Sequence, residues 1–155
     1  MTVPRDDIDR IMEVMEAAFD PLYREAWTRK QVESAMIVGN CHYILVGEDG
    51  GPPLPDRPAA GFSLSRSMVD EEELLLFAVN PEFRRRGLGG IMLAELANAA
   101  ADRGARRIFL EMRRGNPAEK LYSQFGFVPV GERPNYYRLQ TGERIDAITF
   151  ARDIG

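Results

Sequence analysis

The sequence predicts one domain of the α/β or α+β class, and three observations carry that expectation. Two helices come first, a mostly β run follows with two further helices set into it, and no internal repeat or low-complexity stretch divides the 155 residues. A chain of this length buries roughly two-thirds of its unfolded surface in a single core. The domain is therefore expected to span residues 1–155.

The elements follow in order. In residues 6–19, Ile8, Ile11, Met12, Met15 and Phe19 recur at helical spacing and mark an amphipathic helix. A second helix is announced by Thr28 as cap, Gln31 completing a capping box, a Trp27–Val32 staple and Gly39 as terminator. "CHYILVGEDG" reads as a strand, "GPPLPDRPAA" as a proline-rich loop, and "GFSLSRSMV" as a second strand. "ELLLFAV" is apolar on both faces, which predicts a central strand. Residues 91–103 form an alanine-rich helix with Leu93, Leu96, Ala97 and Ala100 on one face and Gly104 at its end. "RRIFLEMR" is another strand. "NPAEKLYSQFG" is a short helix capped by Asn116, with Pro117 at its first position and Gly126 beyond its end. "FVPVGE", "YYRLQ" and "RIDAITFA" close the chain as three antiparallel strands.

Composition excludes several classes. A net charge of −4 lacks the basic excess of a general nucleic-acid binder. Cys41 is the only cysteine and His42 the only histidine, so no disulfide, thiolate cluster or histidine metal site is expected. No apolar run reaches the 18 residues of a membrane span, and the first twenty residues lack a signal-type apolar core. A soluble cytoplasmic protein without a membrane or nucleic-acid partner is expected.

One stretch sits oddly on this acidic background. "RRRGLGG", residues 84–90, lies between an apolar strand and a helix. A glycine loop at a helix start is an anion site, because free N–H groups converge there and the helix dipole favours negative charge. Arg84, Arg85 and Arg86 add charge, while Gly87, Gly89 and Gly90 let backbone approach, so a diphosphate suits the loop. A solvated basic turn is the plain alternative. A nucleoside-triphosphate loop needs a Gly-Lys-Ser/Thr ending, and this loop has no lysine. A dinucleotide site needs its first glycine close behind the strand, whereas "NPEFRRR" separates Val79 from Gly87.

The remaining spacing, Arg84-x-x-Gly87-x-Gly89 before a helix, resembles the signature loop of the GNAT superfamily of N-acetyltransferases. "DEEELLLFAVNPEFRRRGLGGIML", "IFLEMR", "LYSQFGF" and "RPNYY…DAI" together resemble the bacterial ribosomal-protein alanine N-acetyltransferases, from about Asp70 to Ile148. The resemblance implies a mixed, mostly antiparallel sheet flanked by helices and splayed around acetyl-CoA, with no metal. It implies that Arg84 and the loop Arg85, Arg86, Gly87, Leu88, Gly89 and Gly90 hold the pyrophosphate. Backbone groups of Phe77, Ala78 and Val79 would pair with the pantetheine amides as an added strand does. The implied acceptor is the N-terminal alanine of a small-subunit ribosomal protein. A transferase for a polyamine or antibiotic, and a non-catalytic acyl-CoA-binding module, are the alternatives.

Acetyl transfer to an amine needs a neutral amine and a proton for the leaving thiolate. An α-amino group is already roughly a quarter neutral near neutrality, a lysine only about one part in a thousand. Glu111 is the candidate base: it shares a strand face with Phe109, and desolvation beside that ring makes a carboxylate a better base. A strand-end ion pair with Arg113 or Arg133 is its alternative role. A plain core tyrosine is the usual reading of Tyr122 in the stripe Ala118, Leu121, Tyr122, Phe125, but the resemblance implies that its hydroxyl meets the thioester sulfur, which makes it the candidate acid. The resemblance also implies that Asn116 contacts the pantetheine arm, although Glu111 to Tyr122 is one position short of the family spacing and the capping signals account for Asn116 alone. Tyr136 and Tyr137 are expected on the acceptor side or in hairpin packing. The acidic run Asp70 to Glu73 is expected to be a solvated strand entrance, or in an enzyme for basic N-termini a weak, screened attraction for the acceptor, and Cys41 and His42 to be structural.

Overall fold

The computed structural model describes residues 5–154. Its helices are α1 (Arg5–Ala18), α2 (Arg29–Val38), α3 (Leu88–Asp102) and α4 (Glu119–Gln124). Its strands are β1 (Cys41–Val46), β2 (Gly61–Met68), β3 (Glu71–Val79), β4 (Arg107–Arg113), β5 (Val128–Arg138) and β6 (Arg144–Asp153). They form one six-stranded sheet in the order β1-β2-β3-β4-β6-β5, antiparallel throughout except where β3 meets β4. That parallel pair is joined by a crossover through α3, as parallel neighbours require.

Each sheet face has its own core. On one side α1 and α2 bury Ile11, Val14, Met15 and Val32 against Phe62, Leu64, Leu76 and Ala78. The apolar stripe at helical spacing is what turns α1 inward. The Thr28–Gln31 capping box is present and Gly39 ends α2 at φ +93°. On the other side α3 and α4 bury Leu93, Leu96, Ala100 and Tyr122 against Leu74, Ile108, Leu110, Met112 and Phe150.

The centre of the sheet holds an irregularity that shapes everything above it. Leu64 lies opposite Leu76 and Ser65 opposite Leu74, so Leu75 is an extra residue in β3. A bulge of this kind bends a strand and re-aims its side chains. Leu74 accordingly belongs to the α3 core and Leu76 to the α1 core. The parallel pairing of β3 with β4 ends at the same level, at Leu74 and Leu110. Beyond it the two strands diverge, and the β3 edge from Leu75 to Val79 has no β4 partner. The apolar run that predicts a central strand thus has one half-open face, on which Phe77 and Val79 border a cleft.

Four expectations need correction. Helix α3 begins at Leu88, not Ile91, so Gly89 and Gly90 lie in its first turn. Helix α4 begins at Glu119; Asn116 instead closes a turn, its side-chain oxygen accepting from the Ala118 N–H at 2.9 Å. The stretches "FVPVGE" and "YYRLQ" are one strand, β5, interrupted by a register shift between Arg133 and Tyr137. Glu72 is not solvated: it is fully buried, accepting from the Ser65 hydroxyl at 2.5 Å and from the Arg103 guanidinium. No helix among the described residues is long and apolar enough to cross a membrane.

Candidate active site

Two clefts meet where the sheet splays. The first, about 520 Å³, runs from the end of β3 past the glycine loop to α4, with Ala18 to Glu25 as its opposite wall. Phe77, Ala78, Val79, Arg84, Arg85, Gly87, Leu88, Gly89, Gly90, Asn116 and Tyr122 all line it. Arg86 does not; its guanidinium lies over the Phe83 ring at 5.2 Å. The second cleft, about 340 Å³, opens between β3 and β4 and is bordered by Leu75, Leu110, Glu111, Trp27, Tyr137 and Arg24.

The loop before α3 is shaped by two left-handed residues, Arg85 (φ 66°) and Gly87 (φ 77°). Gly87 is the N-cap, and no side chain caps the first turn of α3. The N–H groups of that turn have no intrahelical partner and face a cleft bordered by Arg84 and Arg85. Arg84 also donates from Nε to the Val79 carbonyl at 3.2 Å, tying the loop to the end of β3. Gly89 and Gly90 serve packing as well as approach. A Cβ on Gly89 would stand 2.7 Å from Leu121 Cδ2, and one on Gly90 2.9 Å from Phe125 Cζ. The glycine pair lets α4 sit against the start of α3, which fixes where α4 presents Tyr122.

Tyr122 packs edge-on to Phe77 at 5.7 Å and to Phe127 at 5.6 Å. Burial, then the charge of Glu25, raises its pKa well above the ordinary tyrosine value. Its phenol therefore stays protonated at working pH. Glu111 faces the second cleft, with Arg133 Nε 3.2 Å from its Oε2 and the Thr149 hydroxyl donating to the same oxygen at 3.5 Å. The ion-pair alternative at Glu111 is thus realised with Arg133 and not Arg113. Arg133 is 62% exposed, so water screens that pair heavily. Tyr137 borders the second cleft, and burial followed by the charges of Glu111 and Glu25 raises its pKa. Tyr136 stands outside that lining, stacked edge-on against Tyr137 at 5.3 Å.

Glu25 is the residue that sequence reasoning missed. It borders both clefts, together with Phe19, Phe77, Asn116 and Tyr122. Burial raises its pKa, more than the nearby Arg113 lowers it. Arg113 lies 3.5 Å from Glu25 and 3.5 Å above the Tyr23 ring, tying the wall between α1 and α2 to the end of β4. Glu25 belongs to no periodic stripe and no motif, so the sequence carries no signal for it. His42 and Cys41 lie away from both clefts. His42 Nε2 is 2.8 Å from the Ser67 hydroxyl, and burial, then Arg103, lowers its pKa.

The sheet is thus open at its centre, with an uncapped helix start on one flank and carboxylates on the other. The chain belongs to the acetyltransferase (GNAT) family, whose model matches residues 8–127. A relative from Salmonella typhimurium, a [ribosomal protein bS18]-alanine N-acetyltransferase, is 40% identical over 100 residues, 64% of this chain and 66% of the relative. A Bacillus subtilis (strain 168) protein provisionally given the same name is 29% identical over 85% of this chain and 82% of its own length. The crystal structure of the ribosomal-protein-S18-alanine N-acetyltransferase from Escherichia coli superposes with a TM-score of 0.82 at 26% identity, covering all of this chain and 92% of that one.

Proposed function

We propose that the protein transfers acetyl from acetyl-CoA directly to the N-terminal alanine of a small-subunit ribosomal protein, bS18 by analogy with its named relatives. The observation that carries this reading is the meeting of two unlike clefts at Tyr122. The first has arginines and an uncapped helix start, which suit a diphosphate. The second has Glu25 and Glu111, which suit an amine. The donor fits the first cleft by that chemistry. Arg84, Arg85 and the backbone from Gly87 to Gly90 would hold its diphosphate. The unpartnered edge of β3 at Phe77, Ala78 and Val79 would take its amide arm as a strand edge takes a peptide. Asn116 borders the same path, and Tyr137 the acceptor side.

In this reading the carbon–nitrogen bond to the amine forms as the carbon–sulfur bond of the thioester breaks, without a covalent enzyme intermediate. Glu111 accepts the proton of the attacking amine through a water, and Tyr122 supplies a proton to the departing thiolate. An α-amino group asks little of the base, because much of it is already neutral. The reaction would take place in the cytoplasm, where the acceptor is made, on one N-acetyltransferase domain.

Incubation with acetyl-CoA and two peptides tests the proposal. One begins with a free alanine followed by basic residues; the other is N-terminally blocked and carries an internal lysine. Acetylation of the first alone is expected by mass. Labelling of the lysine peptide, or of polyamines in place of either, would overturn the acceptor. Donor binding without turnover on any amine would replace the enzyme with an acyl-CoA-binding module.

A further inference from the structure

Glu25 carries an inference that neither Glu111 nor Tyr122 does. Its side chain is only 18% exposed, and its one cation among the described residues is Arg113, whose Nε stands at 3.5 Å. That distance is the outer limit of a hydrogen bond, and the same guanidinium is engaged over the Tyr23 ring. A mostly buried carboxylate with so loose a partner is under-compensated. The direction of its pKa agrees: burial outweighs Arg113.

The position of Glu25 says what would compensate it. Of the five residues common to both clefts, it is the only carboxylate. Its charge reaches the hydroxyls of both Tyr122 and Tyr137. Glu111, the other acid of the second cleft, already accepts from Thr149 and pairs with Arg133. An amine entering the second cleft as an ammonium thus meets one carboxylate with existing partners and one that is poorly served.

We propose that Glu25 is the positioning residue that receives the acceptor's N-terminal ammonium, exchanging Arg113 for the substrate where the two clefts meet. The proposal rests on the reading of the second cleft as the acceptor side. Glu25 then selects a free N-terminus over a blocked one before any proton is removed. Deprotonation and transfer follow at Glu111 and Tyr122.

The test measures binding and turnover separately on the full chain. A short peptide beginning Ala-Arg, and the same peptide N-terminally acetylated, are titrated by calorimetry into the protein saturated with CoA. The wild type is expected to bind the free peptide roughly 10–100-fold more tightly than the blocked one. Glu25→Gln is expected to bind the two alike while keeping its CoA affinity, and Glu25→Asp to retain a preference for the free peptide. A merely structural role would not erase that difference while sparing CoA binding. No preference in the wild type, or an undiminished preference in Glu25→Gln, overturns the proposal. Turnover of the free peptide with acetyl-CoA is read in parallel. Preference without turnover supports Glu25 and removes acetyl transfer to this acceptor; turnover without preference removes the role of Glu25 alone.

Discussion

Glu25 and Arg113, 88 residues apart in the chain, stand 3.5 Å apart at the junction of the two clefts. Their pairing does not repay the burial of the carboxylate, whose pKa is raised on balance. In the folded protein the group holds its proton more tightly than in the unfolded chain. Stability from this residue is therefore greatest at acid pH and falls as pH rises from the ordinary carboxylate value through the folded one. Glu25→Gln is expected to lessen the fall of Tm with rising pH across the carboxylate range. Calorimetry at a series of pH values checks this, and an unchanged slope would mean that the pairing with Arg113 repays the burial.

Tyr122→Phe removes one oxygen from a ring packed between Phe77 and Phe127. The ring contacts survive, so fold and donor affinity are expected to be nearly unchanged. If the phenol protonates the leaving thiolate, kcat falls by about 10²–10⁴. Steady-state kinetics with a free-alanine peptide decide it, and full activity would remove Tyr122 from the chemistry.

Glu111→Gln is expected to lower kcat by a similar factor of about 10²–10⁴. Arg133→Ala separates the two roles of this carboxylate. Arg133 is 62% exposed, and pairs of that kind are worth about 1 kcal/mol at most, so the loss is expected to stay below about fivefold. Equal losses in both variants would make the ion pair, and not a free base, the feature that matters.

Local signals carried most of the elements into view. The Thr28–Gln31 box, the alternation of Ile108, Leu110 and Met112, and the glycine loop each act within a few residues, and each element lies within a few residues of its expected place. What stayed hidden depends on contacts between distant parts. Glu25 becomes a cleft residue only when the segment between α1 and α2 meets Arg113. The bulge at Leu75 is visible only once β2 and β3 are paired, and it decides where the sheet opens. Gly89 and Gly90 suggest close backbone approach, yet the side chains they admit are Leu121 of α4 and Phe125 at its C-cap. Glu72 was the exception, because a period of two places it on the buried face of Leu74 and a charged run obscured that signal.

Glu72 also makes a stability prediction. It is fully buried and held by Arg103 at the C-terminal end of α3, with Ser65 donating to the same carboxylate. Removing one member of a buried pair leaves an uncompensated charge, at a cost of about 3–5 kcal/mol. Arg103→Ala is expected to destabilise by that amount in urea unfolding. The double variant Arg103→Leu with Glu72→Met is expected to recover most of the loss, because the desolvation penalty leaves with the pair. A mild effect of Arg103→Ala would show that water reaches Glu72.

Tyr43 sets the last prediction, on the alkaline side. Its hydroxyl donates to Asp7 at 2.6 Å across the interface between β1 and α1. Burial first, then the hydrogen bond and the charge of Asp7, push its pKa up to about 12 from an ordinary value of 10.0. Between those values the unfolded chain loses a proton that the folded protein keeps, so stability must fall as pH rises. Below pH 10.0 both states are protonated and the residue contributes no slope. Tyr122 and Tyr137 are shifted in the same direction and add to the fall. Urea unfolding across this range is expected to give a steady loss of stability in the wild type and a shallower one in Tyr43→Phe. An unchanged slope in that variant would mean that the Asp7 bond opens before the phenol titrates.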